Sequence, residues 1–167
     1  MTPNRLPALA LCLLAIGAAA GARATPVHPT PAPSWKLMDV NGTPVSSDQF
    51  KGKVVVVDFW ATWCPPCRAE IPGYVDLQKK YAKDGLVIVG VSLDQKPPGE
   101  VRKFMERFGI NYTIVMGTPV MQDSFGEMDG IPTTFIIDRR GNIRDRKVGS
   151  MPEEEFESVL LTYLKPQ

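Results

Sequence analysis

A layered α/β domain is what this sequence predicts, and three observations predict it. Two apolar, β-branched-rich runs, 54–60 and 86–93, read as buried strands with a helical stretch, 68–83, between them. The alternation then continues: helical patterns at 100–108 and after 150, and strands at 111–116, 131–138 and 143–148. Finally, Cys64 and Cys67, separated by two residues, fall where the first of those strands hands over to its helix. At 167 residues the chain has room for one domain with a sizeable core. A net charge of +1 gives no electrostatic case for nucleic acid as a partner.

The first elements are not part of that domain. Arg5 leads into an apolar stretch, 6–20, that ends in Ala22-Arg23-Ala24, the layout of a secretory signal with a cleavage site after residue 24. The stretch is short and rich in Ala and Gly for a membrane span, and an uncleaved anchor is the alternative. Residues 1–24 are therefore read as a signal peptide, 25–33 as a linker and 34–167 as the folded domain. The linker carries Pro26, Pro29, Pro31 and Pro33 and is expected to be extended. His28, the one histidine of the chain, lies in it and reads as solvated rather than as a ligand or base.

Asn41-Gly42 between short strands at 35–38 and 43–45 is a strong hairpin signal. The β-branched run 54–60 suits a central strand covered on both faces. Pro72 should kink or divide the helix that follows. In the helix at 100–108, Val101, Phe104, Met105 and Phe108 share one face, and Gly109 ends it. Met121 to Phe125 reads as a helical turn. Ser150 with Glu153 three residues on resembles a capping box, with Phe156, Val159, Leu160 and Tyr163 as the buried face beyond it.

The cysteines carry the chemistry. Cleavage after Ala24 would remove Cys12 and leave Cys64 and Cys67 alone. A bridge between residues three apart closes almost no loop and constrains the unfolded chain little, so this pair is there to react. At a helix N-terminus the free N–H groups and the dipole favour thiolate, which is the nucleophile of disulfide exchange. Cys64 is the expected nucleophile and Cys67 the resolving thiol that attacks the mixed disulfide. Pro65 and Pro66 lack N–H groups and subtract donors from the thiolate. Asp58 interrupts the apolar strand on the approach to the pair. A buried carboxylate rises in pKa and suits a proton acceptor for Cys67; a carboxylate at a sheet edge facing water is the alternative. Glu70, one turn after Cys67, reads as part of a solvated helix face; a second proton acceptor is the alternative. Trp60 reads as core, and Trp63 as a partly exposed platform beside the thiols. Met116, Met121 and Met128 read as core filler rather than copper ligands, so no metal site is expected.

The segment 57–68, Val-Asp-Phe-Trp-Ala-Thr-Trp-Cys-Pro-Pro-Cys-Arg, with Pro72 beyond it, resembles the active-site segment of thioredoxin-fold proteins. Residues 130–135, Gly-Ile-Pro-Thr-Thr-Phe, resemble that fold's cis-proline loop, and Gly149 matches the glycine that ends its last strand. With the N-terminal hairpin, the export signal and an inserted strand–helix unit at 87–116, the chain resembles the TlpA/ResA/CcmG-like thiol–disulfide oxidoreductases. The resemblance implies a thioredoxin-like fold, a mixed central sheet flanked by helices, and no cofactor. It implies a cis bond before Pro132 that leaves the Ile131 backbone free to pair with a substrate strand, next to Trp63, Pro65 and Pro66. For Asp58 it implies the proton-acceptor role. It also implies a periplasmic reductase with disulfide-bearing protein substrates, apocytochrome c or copper-site cysteines, and a membrane electron donor of the thiol-transfer type. Thr133 and the 92–95 stretch, Ser-Leu-Asp-Gln, depart from acidic positions of the haem-maturation members. Two other classes share the fold: peroxiredoxin-type peroxidases, whose cysteine spacing differs, and Sco-like copper modules, which have one more residue between the cysteines and a distant His.

Overall fold

A computed structural model of the chain describes residues 25–165. The expected signal peptide, with Cys12, lies outside the described residues. Among the described residues, eight strands and four α-helices follow in order: β1 (Thr25–Pro31), β2 (Lys36–Met38), β3 (Pro44–Ser46), β4 (Val54–Trp60), α1 (Pro65–Tyr81), β5 (Leu86–Ser92), α2 (Pro98–Phe108), β6 (Thr113–Met116), α3 (Pro119–Ser124), β7 (Thr133–Ile137), β8 (Asn142–Val148) and α4 (Glu153–Leu164). Strands β2 and β3 form the hairpin, with Gly42 at φ +80° in its turn. The other six make one mixed sheet in the order β1-β8-β7-β4-β5-β6. β4, β5 and β6 run parallel, joined through α1 and α2, while β7 runs antiparallel to β4 and β8 antiparallel to β7.

Every residue of β4 is buried, as a strand covered on both faces must be. Side chains alternate across a strand. Val54, Val56 and Trp60 therefore pack on one face with Ile71, Tyr74 and Leu77 of α1, Val101 of α2, and Phe156 and Leu160 of α4. Val55, Val57 and Phe59 pack on the other with Val45, Met121, Phe125 and Phe135. The parity of β4 puts Asp58 on the first face, beneath α1. Gly90 of β5 lies opposite Asp58 in the register. A Cβ there would meet the Trp60 indole nitrogen at 2.8 Å and Ile114 Cδ1 at 2.5 Å, so only glycine lets Trp60 lie across the strand.

Four expectations change. The stretch expected as a linker is a sheet edge: β1 pairs antiparallel with β8, from Thr25 opposite Arg146 to Pro31 opposite Asn142. Prolines are tolerated there because an edge strand needs only part of its N–H set, and the register breaks between Pro26 and Thr30. His28 is exposed on this edge, separated from β4 by both β8 and β7. Helix α1 starts three residues earlier than expected, on Pro65 and Pro66, which fit the first turn because its N–H groups have no intrahelical acceptor. It also runs unbroken through Pro72. The capping box at Ser150 does not form: Pro152 is the N-cap of α4, without a side-chain cap bond. The Met151 N–H bonds instead to Glu70 Oε1 at 3.0 Å.

A candidate dithiol active site

Where β4 ends, residues 61–64 turn the chain into α1. Cys64 is the N-cap residue, and its Sγ lies 3.3 Å from the Cys67 N–H. That is where a capping oxygen sits on other helices, so a thiolate at Cys64 would accept a helix N–H directly. The two cysteines are joined as a disulfide, and both are buried. The Ile131 carbonyl approaches Cys64 Sγ at 3.7 Å from a loop 67 residues away. The Ile131–Pro132 bond is cis, and the Pro132 carbonyl accepts the Gly149 N–H at 2.8 Å, tying the loop to the end of β8. Trp63 is 62 % exposed, and Pro65 and Pro66 are exposed beside it. Trp63, Pro65, Pro66 and Ile131 thus border the same buried disulfide.

On the sheet face beneath α1 lies a row of polar side chains. The sheet register places Asp58 opposite Thr134 and Thr134 opposite Lys147. All three are buried. The Thr134 hydroxyl donates to Asp58 Oδ1 at 2.8 Å, and the Tyr74 hydroxyl lies 3.1 Å from Thr134 Oγ1. Burial raises the Asp58 carboxyl from its usual 3.8 to about 7. Lys147 pulls it back down, Glu70 pushes it up, and the Thr134 bond lowers it. Tyr74 is pushed well above its ordinary value, first by burial and then by the Asp58 and Glu70 charges.

Glu70 is not on a solvated face. It is buried, and its Oε1 accepts from Lys147 Nζ as well as from Met151. The sequence signal was spacing: Cys67, Glu70, Ile71 and Tyr74 stand at i, i+3, i+4 and i+7, one helix face. Lys147 was missed as well. It is buried in alternation with Asp145 along β8, but the neighbouring charges hide that pattern in the sequence.

A further missed residue holds the approach to the thiols. Asp94, just after β5, is buried and accepts from the Thr62 N–H at 2.9 Å, from the Thr62 hydroxyl, and from Ser92 Oγ at 2.9 Å. It pins the turn that carries Trp63 and Cys64. Replacing Asp94 with alanine removes an ionised acceptor from three donors. A destabilisation of about 2 kcal/mol is expected, read from the urea midpoint of the oxidised protein. A midpoint unmoved from wild type would mean that the turn holds itself.

The methionines read as core filler do pack in apolar clusters: Met121 and Met128 on one face of the sheet, Met116 on the other.

A disulfide-forming cysteine pair at the N-terminus of a helix, fed by a central strand and faced by a cis-proline loop, defines a thiol–disulfide oxidoreductase of thioredoxin-like fold. The chain belongs to the redoxin family, whose model matches residues 28–162. It is 37% identical over 131 residues to the thioredoxin-like protein YneN of Bacillus subtilis (strain 168), covering 77% of this chain and 76% of that protein. It is 35% identical to the thiol-disulfide oxidoreductase ResA of Geobacillus kaustophilus (strain HTA426), over 77% of this chain and 74% of that one. Its structure matches the crystal structure of a thioredoxin-family thiol:disulfide interchange protein from Chlorobium tepidum TLS. The TM-score is 0.76 at 40% identity, over 83% of this chain and 99% of the other.

Proposed function

We propose that this oxidoreductase works as an exported dithiol reductase, reducing disulfides in partner proteins through the Cys64–Cys67 couple. The observation that carries the reading is the placement of Cys64 Sγ: capped by a helix N–H at 3.3 Å and 3.7 Å from the carbonyl of Ile131. In the reduced protein, the Cys64 thiolate attacks one sulfur of the partner disulfide. A Cys64–partner bond forms, the partner bond breaks, and the departing thiolate takes up a proton. Cys67 then gives its proton to the Asp58 carboxylate and attacks Cys64 Sγ. The Cys64–Cys67 disulfide closes, and the second partner thiol leaves reduced. The backbone of Ile131 docks the substrate strand, with Trp63, Pro65, Pro66 and Pro132 as the surface around it.

Export rests on the signal-like residues 1–24, with the periplasm as the site of action. Clients in cytochrome c maturation or in copper-site assembly of respiratory oxidases, and a membrane electron donor of the thiol-transfer type, follow from the family resemblance. The Thr62 hydroxyl, which a peroxiredoxin-type reading would need at the nucleophile, is bound to Asp94.

Direction is tested by the reduction potential of the couple, equilibrated against glutathione or dithiothreitol. A value near −270 mV, the thioredoxin end of the scale, is expected. A value near −120 mV, the DsbA end, would make the protein an oxidant of its partners.

A further inference from the structure

Two buried charged groups, Glu70 and Lys147, are not used in the exchange just described. Lys147 is 1 % exposed, which for a lysine demands a partner. Its ammonium meets Glu70 Oε1 and lies 5.7 Å above the ring of Tyr74 and 5.5 Å above that of Phe156. The sheet register sets it one strand beyond Thr134, which bonds Asp58. Asp58 is thus faced by Glu70 and Tyr74 from α1, by Thr134 from β7, by Lys147 from β8, and by Tyr112 just before β6. Two carboxylates share this space with one ammonium. Without the ammonium, a second negative charge beside Glu70 would meet an uncompensated neighbour in a dry site.

We propose that Lys147 is a positioning residue for the exchange: by pairing with Glu70 it neutralises the second buried carboxylate and leaves Asp58 free to cycle between charged and protonated forms. This rests on the reading of Asp58 as acceptor of the Cys67 proton. In the resolving step the Cys67 S–H proton passes to Asp58, the Cys64–Cys67 bond forms and the partner thiolate leaves. Glu70 and Lys147 exchange no proton and only set the field.

The test separates the two thiol steps. The reduced full chain is mixed with the aromatic disulfide dithionitrobenzoate, which releases one coloured arylthiolate when Cys64 attacks and a second when Cys67 resolves. The pH profile of the second release is recorded for Lys147→Met, Glu70→Gln, the double variant and Asp58→Asn, with carbon NMR titration of the Asp58 carboxyl alongside. Lys147→Met is expected to move the profile and the Asp58 titration to higher pH by about one unit, a loss of about fivefold at pH 7 for a carboxyl that starts at about 7. Glu70→Gln is expected to move both to lower pH, and the double variant to return within about threefold of wild type. Loosened packing would not produce shifts of opposite sign that cancel. If the single variants shift the same way or not at all while Asp58→Asn remains slow, the Lys147 proposal falls and the acceptor reading stands. If Asp58→Asn resolves like wild type, both fall. Should Lys147→Met fail to fold, the acid shift of Glu70→Gln and the near-normal double variant carry the same decision.

Discussion

Replacing Cys67 with serine is expected to convert the protein from a catalyst into a stoichiometric trap. Cys64 would still attack a partner disulfide, because its Sγ keeps the capping position at the start of α1. The second step would have no sulfur to complete it, since Cys67 is the one thiol placed beside Cys64 among the described residues. Mixed disulfides should therefore accumulate, visible as reductant-sensitive adducts on a gel. Turnover should drop to the rate of spontaneous exchange. Cys64→Ser should abolish turnover with no adduct at all. If instead Cys64→Ser accumulates adducts and Cys67→Ser does not, the roles of the two thiols are reversed. The same trap, applied to a cell extract, would identify the client.

The second large effect is at Asp58, and it has opposite signs for stability and for activity. The folded protein holds this carboxyl at about 7, against 3.8 for an exposed one. Between those values the folded state binds a proton that the unfolded chain has released. Stability is therefore highest below pH 3.8 as far as this group is concerned, and falls as pH rises through 7. Above that, the charged, buried Asp58 costs at most about 4 kcal/mol. Asp58→Asn should recover much of this at pH 8 and flatten the dependence between pH 4 and 7; asparagine can still accept the Thr134 hydroxyl. Denaturant titrations of both oxidised proteins across this range test it. An Asp58→Asn protein no more stable at pH 8 than wild type would show that water or rearrangement already solvates the charge. The cost in activity should be a resolving step slower by about 10² at pH 7, as expected on losing a positioned base.

Much of the site was legible in the residues alone, for local reasons. The β-branched run, the Cys-x-x-Cys after it and the helical pattern beyond it are contiguous, so their order fixes the thiols at a helix start. The alternation along β4 likewise places Asp58 on the face of Val56 and Trp60, and the structure puts α1 over that face. The Ile131–Pro132 loop came through resemblance, since nothing local distinguishes this proline from the chain's others.

What went unread is non-local. Glu70 looks like a surface residue until β8 brings Lys147 beneath α1, and Lys147 looks like one of several charges around it until the sheet register aligns it with Thr134 and Asp58. A proline-rich linker and a proline-rich edge strand are the same extended backbone, and only the neighbouring β8 separates them. Sequence alone determined the α/β alternation, the reactive pair and the strand that carries its carboxylate, because periodicity and spacing act within one segment. Only the tertiary structure decided which charges are buried together. Burial and pairing belong to the space between segments, where a charge is retained only if another arrives to meet it.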